Sequence, residues 1–130
     1  LEELAVQLAC DRIDEEGLEN LRTAAAHFRD VLGSDDITKI AEADVAFHDV
    51  IFTATDNRRL IQLLNNLREQ MYRYRIEYLK KKECYPQLLE EHKAIIDAIA
   101  AGDKDKATKI TGQHINNQVD TVVGTLRHKE

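Results

Sequence analysis

Little in this sequence interrupts a helix. It has one proline and five glycines among 130 residues. Such sparse punctuation, with abundant Ala, Leu, Glu, Lys and Arg, points to long helices. The two cysteines, Cys10 and Cys84, lie far apart and form no CxxC pair, so free thiols in a cytoplasmic protein are the simplest reading. Basic residues are outnumbered, and the formal net charge is −6. That balance gives no basic footprint for nucleic acid, so DNA contact has to come from another chain or segment. No stretch approaches the roughly 20 apolar residues of a membrane span. The start, Leu1-Glu2-Glu3-Leu4, lacks the layout of a signal peptide. It opens in mid-pattern, which reads as a truncated N-terminus. What remains is 43% hydrophobic and 32% charged, the balance of a soluble globular domain spanning residues 1–130. That length can bury a core without staples.

Helical periodicity runs through almost the whole chain. A first helix carries Leu1, Leu4, Ala5 and Leu8. Asp14 offers a cap for a second, with Leu18, Leu21, Ala25, Phe28 and Leu32, which Gly33 stops. A third, capped by Ser34 or Asp35, is expected from about Asp36 to Thr55, with Asp56-Asn57 ending it. A long fourth helix places Leu60, Leu64, Leu67, Met71, Tyr74 and Tyr78 on one stripe, with Arg68, Arg73, Arg75, Lys80, Lys81 and Lys82 on its other faces. The fifth starts near Pro86 and ends at Gly102. Asp103 caps the sixth, which is expected to run to about Arg127. Short connections predict an all-α, antiparallel bundle.

The informative residues are the polar ones that interrupt apolar stripes. On the third helix Ile37, Ile40, Ala41, Asp44, Phe47, His48 and Ile51 share the inward face. Asp44 and His48 are four apart and point the same way from adjacent turns. His92 sits among Leu88, Leu89, Ile95, Ile96 and Ile99, and His114 lies at the margin of a stripe of Ala107, Ile110, Ile115, Val122 and Leu126. A buried carboxylate without a partner is expensive, and buried imidazoles need partners as well. One divalent cation could satisfy all four groups. The donor set suits zinc first, and also nickel, manganese or iron. The competing reading is a metal-free network of hydrogen-bonded core residues. His27 reads as a boundary residue and His128 as part of a solvated tail.

The spacing Asp44-x3-His48, then Asn57, then Glu91-His92-x-x-Ile95-x-x-Ala98-Ile99, then Gly102-Asp103 with Ala107, then His114-Ile115 resembles the FCD domain. That is the C-terminal effector-binding domain of the FadR subgroup of GntR-type bacterial transcription regulators. The resemblance covers essentially the whole chain. It implies a bundle of six or seven helices and a metal held by Asp44, His48, His92 and His114. It further implies a cavity for a small organic acid, and an N-terminal winged helix-turn-helix, absent here, that engages operator DNA. A homodimer is expected by the same analogy. For the acid, Arg68 or Arg75 could supply a bidentate guanidinium, although both also read as surface residues of a basic helix. Tyr72, Tyr74 and Tyr78 could line the cavity, and Tyr74 and Tyr78 are equally well explained as core.

An enzyme is the principal rival. The doublet His48-Asp49 is like that of the helical HD hydrolases, but Asp49 shares a face with Glu42, Thr53 and Asp56 and is expected to point to solvent. There is no HExxH, no ExxH pair and no glycine-rich phosphate loop, and the sole serine, Ser34, sits at an expected cap. The sequence therefore points to a sensor and not to a catalyst. A metal-free interaction module is the remaining alternative.

Overall fold

Four of the helices begin where a short polar side chain serves their unpaired backbone amides. The computed structural model describes the backbone of residues 2–129, and the side chains of that span except Arg68 and residues 120–129. Seven helices follow in order: α1 (Glu2–Arg12), α2 (Glu15–Val31), α3 (Ile37–Ala54), α4 (Arg58–Asn66), α5 (Arg68–Leu79), α6 (Tyr85–Ala100) and α7 (Lys104–Lys129). Asp14 accepts from Gly17 N at 2.7 Å and so starts α2. Asp36 accepts from the amides of Thr38 and Lys39, Asn57 from that of Leu60, and Asp103 from that of Lys106. Pro86 stands in the first turn of α6. Gly102, at φ +68°, makes the left-handed stop between α6 and α7. No strand is present among the described residues.

The turn before α3 differs from expectation. The cap is Asp36, and the left-handed residue is Asp35, at φ 58°. Gly33 falls inside a short 3-10 turn, Leu32–Ser34. The hydroxyl of Ser34 serves the turn, donating to Val31 O and accepting from Asp36 N.

The long fourth helix is two helices. At Leu67 the α-helical hydrogen-bond ladder gives way to a turn (φ −96°, ψ −2°), and the Leu67 N–H reaches back to Leu64 and Asn65. Asn65 and Asn66 precede the break; their side chains compete with the backbone for hydrogen bonds and weaken a helix interior. The break resets which face of the second segment turns inward. On α5 the buried residues are Arg75, Tyr78 and Leu79. Tyr74 lies roughly a quarter turn from the centre of that face at about 100° per residue. It is 51% exposed. The expectation that Arg75 belongs to a solvated basic face is corrected in the same way, because Arg75 is buried.

Two apolar clusters make the core. The larger joins Val6, Leu21, Phe47, Ile51, Ile95 and Ile99 with neighbours from α1, α4 and α7. The smaller is built on Phe28, Ile40, Tyr78, Leu79 and Leu88. α2 packs along α3, and α7 packs along both α1 and α6. Among the described residues, no helix is long and apolar enough to cross a membrane.

Candidate metal centre

Three helices deliver four polar side chains to one place. Asp44 and His48 come from successive turns of α3, His92 from α6 and His114 from α7, and all four are buried. Aromatic packing sets the His92 ring. It stacks on Phe47 of the larger cluster, with centroids 4.1 Å apart and planes at 16°, and lies 4.9 Å from Phe28 of the smaller one. His48 and His114 are stacked with centroids 5.7 Å apart. One ring nitrogen from each of His48, His92 and His114 falls within 4.8 Å of the others, so the three could hold a metal ion.

Asp44 stands beside His48 and His92. Its Oδ1 is 3.5 Å from His48 Nε2 and 3.3 Å from His92 Nε2. Two ligands bonded to one ion at about 2.0–2.2 Å across a tetrahedral angle lie roughly 3.3–3.6 Å apart. The observed separations match that edge, whereas N–H···O bonds cluster at about 2.7–3.2 Å. Both Asp44 oxygens, His48 Nε2 and both His92 ring nitrogens are buried without a hydrogen-bond partner. Each such group costs about 1–3 kcal/mol when left unserved. A cation at the point of convergence would serve Asp44 Oδ1, His48 Nε2 and His92 Nε2 together. His92 Nδ1 has no protein partner in either case.

Neighbouring charges prepare these groups. Burial alone would raise the pKa of Asp44, but His48, His92 and Arg75 around it hold the carboxyl well below the usual carboxylate range. Arg75 Nε is 3.2 Å from Asp44 Oδ2, while Arg75 Nη2 donates to Glu2 Oε1 at 2.8 Å. Burial lowers the His92 pKa, against the opposing pull of Asp44, which favours the neutral ring a metal requires. His114 Nδ1 pairs with Glu91 Oε2, and Asn117 Nδ2 donates to Glu91 Oε1 at 3.0 Å. A carboxylate on Nδ1 fixes the tautomer that leaves the Nε2 lone pair free. That lone pair now faces Gln118 Nε2 at 3.1 Å.

The structure thus brings Asp44, His48, His92 and His114 together and adds Arg75 on the far side of Asp44. Tyr78 is buried in the smaller cluster, where burial beside Cys84 and Glu91 pushes its phenol pKa up. Tyr74 lines a cleft of about 230 Å³ between α5 and α7. Tyr72 lines a separate groove with Glu42, Val45, Asn65 and Glu69. The side chain of Arg68 lies outside the described residues, as do those of Val122, Leu126 and His128. His27 is exposed, and Asp49 is half-buried.

Sequence reasoning gave no site role to Glu91, Thr111, Gln118 or Glu2. Glu91 had a visible signal, since it follows Leu88 by three and precedes Ile95 by four on the edge of the inward face. Thr111 stands between Ala107 and His114 at the same spacing. Glu2 had none, because its partner Arg75 is 73 positions away.

Known proteins resemble this chain in sequence and in fold. The FCD domain family model matches residues 1–117. The chain is 30% identical over 122 residues to the HTH-type transcriptional regulator LutR of Bacillus subtilis (strain 168), covering 90% of this chain and 55% of that protein. It is 34% identical over 87 residues to the putative L-lactate dehydrogenase operon regulatory protein of Escherichia coli (strain K12), covering 64% of this chain and 34% of that one. It therefore spans about half, or less, of the length of these relatives. Among solved structures, E. coli McbR/YncC superposes with a TM-score of 0.84 at 16% identity, covering 95% of this chain and 63% of that one, and so has the same all-α fold. The matched family, the relatives and the fold agree with the spacing read from the residues: the chain belongs to the FCD domain family of GntR-type transcription regulators.

Proposed function

We propose that this domain senses a small carboxylate through one divalent cation held by His48, His92, His114 and Asp44. The observation that carries the reading is the convergence of three buried imidazoles on a buried carboxylate whose oxygens lack hydrogen-bond partners. Zinc suits this donor set first; nickel, manganese and iron follow. A bound cation would supply positive charge; the four side chains fill a tetrahedral sphere, so an oxygen ligand would enter by expanding it to five or six positions. The chain's own residues do the rest. Arg75 pairs with Asp44 from its far side, Glu91 fixes the His114 tautomer, and Phe47 fixes the plane of His92.

The acid is retained and not turned over, as suits relatives that are transcription regulators. One relative is titled for an L-lactate dehydrogenase operon, so L-lactate is the first effector to test. In the full-length protein the bias reaches operator DNA through an N-terminal winged helix-turn-helix, in a cytoplasmic homodimer. The test is a thermal-shift titration with L-lactate and other small acids on zinc-loaded and chelator-treated protein. Stabilisation confined to the zinc-loaded form, with the acid recovered unchanged, supports the reading. Equal stabilisation of both forms, or conversion of the acid, contradicts it.

A further inference from the structure

Glu2, in the first turn of α1, separates two cavities. Outside it is the cleft of about 230 Å³, whose walls are largely apolar: Leu67, Met71, Tyr74, Ile115 and Val119. Inside it is a chamber of about 10 Å³ bounded by His48, Ile51, Ile95, Thr111 and His114. That inner space holds about one water molecule. Of the described residues, Glu2 alone lines both. Its carboxylate takes a 2.8 Å hydrogen bond from Arg75, the same guanidinium that lies 3.2 Å from Asp44.

We propose that Glu2 is a built-in occupant of the effector's carboxylate position: a monocarboxylate with a short apolar tail enters by the outer cleft, replaces Glu2 on Arg75, and frees the first turn of α1. This rests on the carboxylate-sensing reading above. The donor requires exchange and not addition. Arg75 Nη2 already serves Glu2 Oε1, and a second carboxylate takes that N–H only by displacing Glu2. Space requires it too, since the inner chamber cannot admit an organic acid while Glu2 closes it. Thr111 Oγ1 is buried without a hydrogen-bond partner and lines that chamber. It is a ready donor to an oxygen placed there. The apolar walls of the cleft suit a short hydrocarbon tail and disfavour a second charge.

The exchange has a mechanical consequence. α1 packs along α7 and against α3, and Glu2 ties its first turn to α5. A ligand shifts a conformational equilibrium only through differential affinity for its states. The Glu2–Arg75 pair supplies that difference, being intact in one state and replaced in the other.

The experiment uses zinc-loaded protein in carboxylate-free buffer, as the parent and as Glu2→Gln, with zinc content measured for both. Acetate, L-lactate and hexanoate are titrated by calorimetry, and hydrogen exchange is followed along α1. Glu2→Gln is expected to keep its zinc and to bind the best acid of the series roughly tenfold tighter or more, the equilibrium worth of one charge-assisted hydrogen bond. Acid should speed exchange at the start of α1 in the parent, and Glu2→Gln should show that speed without acid. Unchanged or weaker binding by Glu2→Gln, with the parent still binding, overturns the displacement and leaves carboxylate sensing intact. Tighter binding with unchanged α1 exchange overturns the release of α1. Loss of zinc in Glu2→Gln overturns the assignment by making Glu2 part of the metal site. If neither protein binds any acid while holding zinc, both the displacement and the sensing reading fall.

Discussion

Arg75 on α5 and Asp44 on α3 form an ion pair, Nε to Oδ2 at 3.2 Å, with both side chains almost wholly removed from water. The contact compensates charge without a well-aligned hydrogen bond, since neither Asp44 oxygen has such a partner. Removing one member of a buried pair leaves the other uncompensated. Arg75→Met is therefore expected to destabilise the metal-free protein by about 3–5 kcal/mol. The loss should be smaller with zinc bound, because the cation takes over compensation of Asp44. Urea denaturation with and without zinc measures both; equal losses in the two forms would contradict the shared role.

Glu91 touches His114 at Nδ1, which leaves Nε2 as the ring nitrogen free to ligate. Such carboxylates orient their histidine, and losing one typically weakens metal binding about 10–100-fold. Glu91→Gln should show a loss in that range in competition against a chelator of known affinity. An unchanged affinity would mean that the contact serves packing alone.

Stability should depend on pH in one direction. Burial lowers the His92 pKa from its ordinary 6.5, so as pH falls below 6.5 the unfolded chain takes up a proton that the folded one resists. Stability is therefore full above that value and declines beneath it. The Asp44 pKa is held well below its ordinary 3.8, against the effect of burial, and adds a further loss once pH drops below 3.8. The denaturation midpoint of chelator-treated protein at pH 7.5, 6 and 5 should fall stepwise. A midpoint that rises towards pH 5 would reverse the assigned signs.

Tyr74 and Tyr78 stand four apart on one helix yet differ in surroundings, the first 51% exposed and the second 1%. Tyr78→Ala should cost about 3–5 kcal/mol, as for other buried aromatics. Tyr74→Ala should stay within about 0.5 kcal/mol. Thermal melts of the two variants decide this, and similar melting temperatures would refute the placement of α5.

Most of the fold and the gathering of four polar side chains in the core were legible in the sequence. Asp14, Asn57, Gly102 and Asp103 are local signals that act within a turn of where they stand, and they fixed the helix ends. Asp44, His48, His92 and His114 stood out because each breaks an otherwise apolar face. The break at Leu67 escaped because the apolar spacing continues across it, while the weakness introduced by Asn65 and Asn66 is small per residue. The inward turn of Arg75 escaped for the same reason, since its face follows from the break. The Glu2–Arg75 pair depends on tertiary contact, which no local pattern carries.

Metal content tests the central claim most directly. Untagged protein is analysed by mass spectrometry beside Asp44→Ala and the double variant His92→Ala/His114→Ala, each also after zinc is added back. The account predicts about one equivalent in the parent, a clear loss in Asp44→Ala and none retained in the double variant. A parent that holds no zinc, nickel, manganese or iron even after addition, or a double variant that binds as much as the parent, would contradict it.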